Sequence, residues 1–89
     1  MAKYKQNART AGRVIDGLAF VVTPHNNTLH TLNSTGTAVW TMAESGCTIE
    51  SIAAMMTERY DVTPEQAIAD AAKFCDELVA RQILDRCEE

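Results

Sequence analysis

The sequence predicts an α+β domain in which a three-stranded antiparallel sheet is followed by three helices. Three observations carry this. An Asp16-Gly17 pair sits between two apolar runs, Thr63-Pro64-Glu65-Gln66 opens a helical stretch, and the apolar spacing changes from strand-like to helix-like near Asn33. Eighty-nine residues suit one domain. The chain is 46% apolar and 22% charged, which suits a folded chain rather than a disordered one.

Residues 1–9, with Lys3, Lys5 and Arg9 among small polar residues, read as a mobile arm ahead of a single domain at 10–86. Val14 and Ile15 lead into Asp16-Gly17, and the run from Leu18 to Val22 follows. Asp-Gly supplies the two positive φ angles of a type I′ turn, so this segment is a hairpin. Its second run is continuously apolar, as in a central strand covered on one face and partly on the other. Pro24 to Asn27 form the next turn. The stretch from Thr28 to Leu32 is short and polar, the marks of an edge strand.

Asn33, Ser34 and Thr35 are three candidate caps for a first helix carrying Val39 and Trp40, with Gly46 as its C-terminal stop. Thr48 caps a second helix with Ile49, Ile52, Ala53 and Met56 at core spacing. Thr63 as N-cap, Pro64 at the first helical position and Gln66 two residues on form a capping box for a third helix, running to about Gln82. Ile83 and Leu84 are expected to pack back on the sheet. The apolar arc of the third helix covers about half its circumference, wider than the stripe of roughly 100° that one sheet face requires. Phe74 and Leu78 read as its core anchors, and the flank of Ile68, Ala72 and Val79 as the side free to line a groove.

Catalytic chemistry finds little footing. His25 and His30 have no Cys, Asp or Glu at ligand spacing, so they read as solvent-facing and no metal is expected. No glycine-rich phosphate loop is present, and no cofactor is expected. The carboxylates of the last helix and tail, Asp70, Asp76, Glu77, Asp85, Glu88 and Glu89, read as a solvated face. Cys75 reads as a core residue, because no base or positive surround stands by to activate it. The chain therefore reads as a binding module rather than an enzyme. Its net charge of −4 disfavours a nucleic-acid partner. No run of about 18 apolar residues predicts a membrane span, and the first ten residues lack the apolar core of a secretory signal. An odd cysteine count without C-x-x-C spacing suits a reducing cytoplasm.

The order of a hairpin, the block Leu32-Asn33-x-x-Gly36-x-x-x-Trp40, then Thr48-Ile-Glu-Ser-Ile-Ala, Arg59-Tyr-Asp-Val, and a helix with Asp70, Phe74 and Leu78 resembles the PqqD-like family of peptide-recognition domains. The resemblance covers about residues 13 to 85. It implies a winged-helix-like fold, and a function in which the domain binds the leader of a ribosomally made precursor peptide. The core of that precursor is thereby presented to a modifying enzyme, often a radical S-adenosylmethionine enzyme. It also implies that the leader adds as a strand along Thr28, Leu29, His30, Thr31 and Leu32. The same leader then lies against the third helix, at Ile68, Ala72, Cys75, Asp76 and Val79. Ser45-Gly46 stands where proteins of the pyrroloquinoline quinone pathway usually carry Asp-Gly, which points to another peptide pathway. Two other readings remain open from the sequence. One is a winged-helix nucleic-acid-binding regulator, disfavoured by the acidic or neutral openings Ile49-Glu50-Ser51 and Pro64-Glu65-Gln66. The other is an accessory subunit that docks on an enzyme without binding peptide. The chain is expected as a monomer or as a dimer through the edge strand.

Overall fold

Asp16 and Gly17 adopt φ of 53° and 81° in the computed structural model, which describes residues 2–88. This is the tight turn that their sequence requires. It joins β2 (Ala11–Ile15) to β3 (Leu18–Thr23), and β4 (Thr28–Thr31) follows after the turn at residues 24–27. The three strands form one antiparallel sheet in the order β2-β3-β4, so β4 is an edge. Ala19, Val21 and Thr23 of β3 are buried, while Leu18 and Val22 are exposed. The apolar run of β3 is therefore covered on one face only. Its outer face carries Leu18 and Val22, continued by Ile15 and Leu29 across the sheet.

The chain leaves β4 through a set of hydrogen bonds that fixes the next helix. Leu32 N–H donates to Ala19 O at 2.9 Å, and Ala19 N–H donates to the Thr37 hydroxyl at 2.8 Å. The Thr37 hydroxyl in turn donates to Leu32 O. Of the three candidate caps, Asn33 is the one used: its side-chain oxygen accepts from Gly36 N–H at 2.8 Å. This starts α1 (Ser34–Met42). The helix ends at an Ala43 cap, and Gly46, expected directly after it, comes three residues later in a turn with φ of 96°.

Thr48 caps α2 (Ile49–Arg59) as expected, and Ser51 completes a reciprocal box by accepting from Thr48 N–H. Thr63 caps α3 (Pro64–Ala80) by accepting from Gln66 N–H. The expected box is only half formed, because the Gln66 side chain donates to Asp70 instead. The helix stops two residues short of Gln82. Gln82 takes φ of 64°, and Gln82 and Ile83 donate to Val79 O and Leu78 O. That is a Schellman stop, here with glutamine where glycine is usual. It turns Ile83 and Leu84 into the core, where both are almost fully buried.

The first nine residues correct the expectation of a mobile arm. Ala2–Gln6 form β1, paired antiparallel with β5 (Leu84–Glu88) from Ala2↔Glu88 to Gln6↔Leu84. Tyr4 also bridges Cys47 through two backbone bonds of 2.7 and 2.9 Å, and it is only 2% exposed. Asn7 donates from its backbone to Ile83 O and from its side chain to Asp85. Residues 2–9 and 87–88 thus fold with the residues expected as the domain, 10–86. The alternation of Ala2, Tyr4 and Gln6 with Lys3 and Lys5 is a strand pattern. Its partner is some 80 residues away, so no local signal announces the pairing. Ile83 and Leu84 accordingly serve the β1–β5 ribbon and the core rather than the three-stranded sheet.

Trp40 is the largest core side chain, lying beneath β2. A Cβ at Gly12 would stand 2.8 Å from its ring, so only glycine fits there without movement. We expect Trp40→Ala to lower the unfolding free energy by about 3–5 kcal/mol, read by urea denaturation. A loss under about 1 kcal/mol would mean that the ring packs elsewhere. Deleting residues 1–6 should lower the denaturation midpoint markedly, because it exposes β5 and removes Tyr4. An unchanged midpoint would restore the mobile arm.

Candidate functional site

The open edge of β4 is built from alternation. Leu32 donates to Ala19, so Leu32, His30 and Thr28 turn their backbone groups toward β3. Leu29 and Thr31 then turn theirs to the unpaired side. Their side chains share the outer face of the sheet, where Leu29 is 62% exposed. His30, expected toward solvent, is half-buried instead and its Nε2 lies 3.0 Å from the Thr23 hydroxyl. Thr23 is fully buried and also meets Asn26 and the Thr28 carbonyl, which ties the edge strand to β3 from beneath. Leu32 is 4% exposed and belongs to the core rather than to the open edge.

Beyond Thr31 the edge opens into a trough between α3 and the start of α1. One part, about 240 Å³, is bounded by Thr31, Leu32 and Gly36 on one wall and by Phe74, Leu78 and Arg81 on the other. A second part, about 350 Å³, shares Asn33, Phe74 and Glu77 and continues to Thr35, Met56, Lys73 and Asp70. Gly36 keeps the first part wide. A Cβ there would stand 3.3 Å from both Leu32 Cβ and the Phe74 ring.

None of the five α3 residues expected against a bound strand lines the trough. At 3.6 residues per turn, Ala67, Ala71, Cys75 and Leu78 form the buried stripe. Phe74, Glu77 and Arg81 lie on one side of it, and Ile68, Ala72 and Val79 on the other. Ile68 is 47% exposed and lines a separate apolar hollow of about 210 Å³ with Ala53, Ala54 and Pro64. Cys75 is fully buried, so it can offer no surface to a ligand. Val79 packs against the core, and Ala72 is half-buried. Asp76 is exposed; burial raises the pKa of the Tyr4 phenol, and the charge of Asp76 adds a smaller push in the same direction. The structure therefore gathers Thr28, Leu29, His30 and Thr31 at one edge, with Leu32 behind them. Of the α3 set it places Ile68, Ala72 and Val79 on the flank away from the trough and Cys75 in the buried stripe.

Sequence reasoning missed Glu77, Arg81 and Lys73. Glu77 read as part of a solvated face, Lys73 and Arg81 drew no reading, and Phe74 read as a core anchor although it is half-buried and lines both parts of the trough. The i, i+4, i+8 spacing of Lys73, Glu77 and Arg81 was the available signal. Among the described residues, no group of three His, Cys, Asp or Glu side chains stands ready for a metal.

The family model described as Coenzyme PQQ synthesis protein D (PqqD) matches residues 19–84. The chain belongs to the PqqD family. No curated protein sequence matches it. Two solved structures share the fold of this PqqD-family chain. One is TbiB1 in complex with the TbiA(beta) leader peptide, with a TM-score of 0.83, 21% identity, and coverage of 91% of this chain and 94% of that one. The other is lasso peptide synthetase B1 complexed with the leader peptide, with a TM-score of 0.81, 16% identity, and coverage of 92% and 96%. The sequence-based expectation of a sheet followed by three helices in a PqqD-like fold is thus met, with the β1–β5 ribbon added.

Burial pushes the Cys75 thiol up to about 12 and raises that of Cys47, which leaves Cys87 as the half-exposed thiol. The thiolate is the reactive form. In native protein at pH 8, one thiol should react promptly with a disulfide reagent, and three should react after denaturation. Rapid reaction of a second thiol in the native state would show that the core opens, either at α3 around Cys75 or at the β1 bridge to Cys47.

Proposed function

We propose that this PqqD-family chain recognises the leader of a ribosomally made precursor peptide and presents the attached core to a modifying enzyme. The observation that carries the reading is an unpaired edge strand beside an open trough. It sits in a fold shared with two proteins whose structures hold leader peptides. A peptide in extended form would complete the sheet along β4, taking the backbone groups of Leu29 and Thr31. Its alternate side chains would fall on the outer face beside Leu29 and into the trough beside Phe74. Main-chain bonds supply register in such a complex, and the trough supplies preference. The protein acts by binding and performs no chemistry itself. Its enzyme partner is a peptide-modifying enzyme, with the radical S-adenosylmethionine class the first to test. Three free cysteines and no helix long and apolar enough to cross a membrane, among the described residues, are compatible with work in the cytoplasm.

Isothermal titration of the chain with synthetic leaders encoded beside its gene tests this. Binding should be micromolar or tighter, with amide shifts at Thr28–Thr31 and around Phe74. Leu29→Pro deletes a donor on the open side while sparing the β3–β4 ladder. It should weaken binding about fivefold to tenfold with the circular dichroism spectrum unchanged. Unchanged affinity in the folded variant would place the peptide elsewhere, and no binding to any such leader would favour an accessory role on the enzyme alone.

A further inference from the structure

Lys73, Glu77 and Arg81 stand along one wall of the trough at successive i, i+4 steps. Glu before Arg at this spacing is the order that favours an ion pair along a helix. Yet among the described residues none of the three is in an ion pair. From Lys73 to Arg81 the wall therefore offers positive, negative and positive charge in turn, each with capacity for an outside partner, and beyond Lys73 it ends at Asp70, whose carboxylate accepts from the Gln66 side chain. Between them Phe74 and Leu78 form the apolar floor beside Gly36.

The spacing of these charges matches one kind of ligand. Four residues of helix advance about 6 Å, and two residues of an extended strand advance about 6.7 Å. Same-face residues of a strand lying along α3 thus meet the helix charges one for one. We infer that the trough selects an extended peptide with an acidic side chain opposite Arg81 and a basic one opposite Glu77, two residues apart. A second acidic side chain falls opposite Lys73. The sequence read is acid-x-base-x-acid, and because it is symmetrical it holds for either strand direction. This inference rests on the peptide-binding reading and specifies the chemistry of the peptide that this chain takes.

A random dodecapeptide library selected on the purified full-length chain tests it, with Arg81→Glu, Glu77→Lys and Leu29→Pro run in parallel. Peptides selected by the unaltered chain should carry Asp or Glu two positions from Lys or Arg. Arg81→Glu should replace that acidic preference with a basic one and leave the rest of the motif. Glu77→Lys should do the reverse at the basic position. For a resynthesised peptide, either reversal should weaken binding about fivefold, and the matching charge swap in the peptide should restore it. The effect should shrink at high salt. Selected motifs that neither charge reversal moves, on peptides that Leu29→Pro releases, would overturn the charge reading while leaving edge binding intact. If no selected peptide is released by Leu29→Pro, both readings fall.

Discussion

The junction of Ala19, Leu32 and Thr37 governs everything that the site depends on. Sheet pairing stops where β4 ends, and at that point the Ala19 N–H would be left in the core without a strand partner. The Thr37 hydroxyl takes that bond at 2.8 Å. A buried amide without a partner is expensive, so this one contact fixes how α1 sits under β3. Asn33 then caps the helix within the same turn. With α1 fixed, Gly36 and Leu32 are held opposite Phe74 and Leu78, and the width of the trough follows. The edge strand and the trough are therefore one continuous arrangement rather than two separate surfaces.

Local chemistry made much of this readable from sequence. Asp16-Gly17, Thr48 and the Thr63-Pro64 opening each act within a few residues, and each folds as its residue types demand. The edge character of β4 was visible in its polarity. The β1–β5 ribbon was hidden because it pairs segments at opposite ends of the sequence. Ala2, Tyr4 and Gln6 carry the right alternation, yet five residues with two lysines look much like an ordinary polar terminus. Pairing partners are not encoded in either strand alone.

How the fold places the candidate residues was half legible for a different reason. A helix with a wide apolar arc has two flanks, and sequence alone does not say which one a neighbouring strand will face. Hydrophobicity favoured Ile68, Ala72 and Val79. The fold placed the charged flank toward the trough, because Phe74 packs toward Gly36 at the start of α1. The apolar flank faces away from the trough, with Val79 against the core and Ile68 half-exposed beside α2. Charges that look solvated on a helical wheel can still form a wall when another element stands across from them.

The ribbon of β1 and β5 has a consequence for architecture. Ala2 and Glu88 are direct partners across it, so the two ends of the described chain lie about 5 Å apart. A unit with adjoining ends can be spliced into a loop of a larger polypeptide, or joined through either end, without stretching its own backbone. Splicing or fusion there would load only the β1–β5 ribbon, because β4 and its open edge belong to the other sheet.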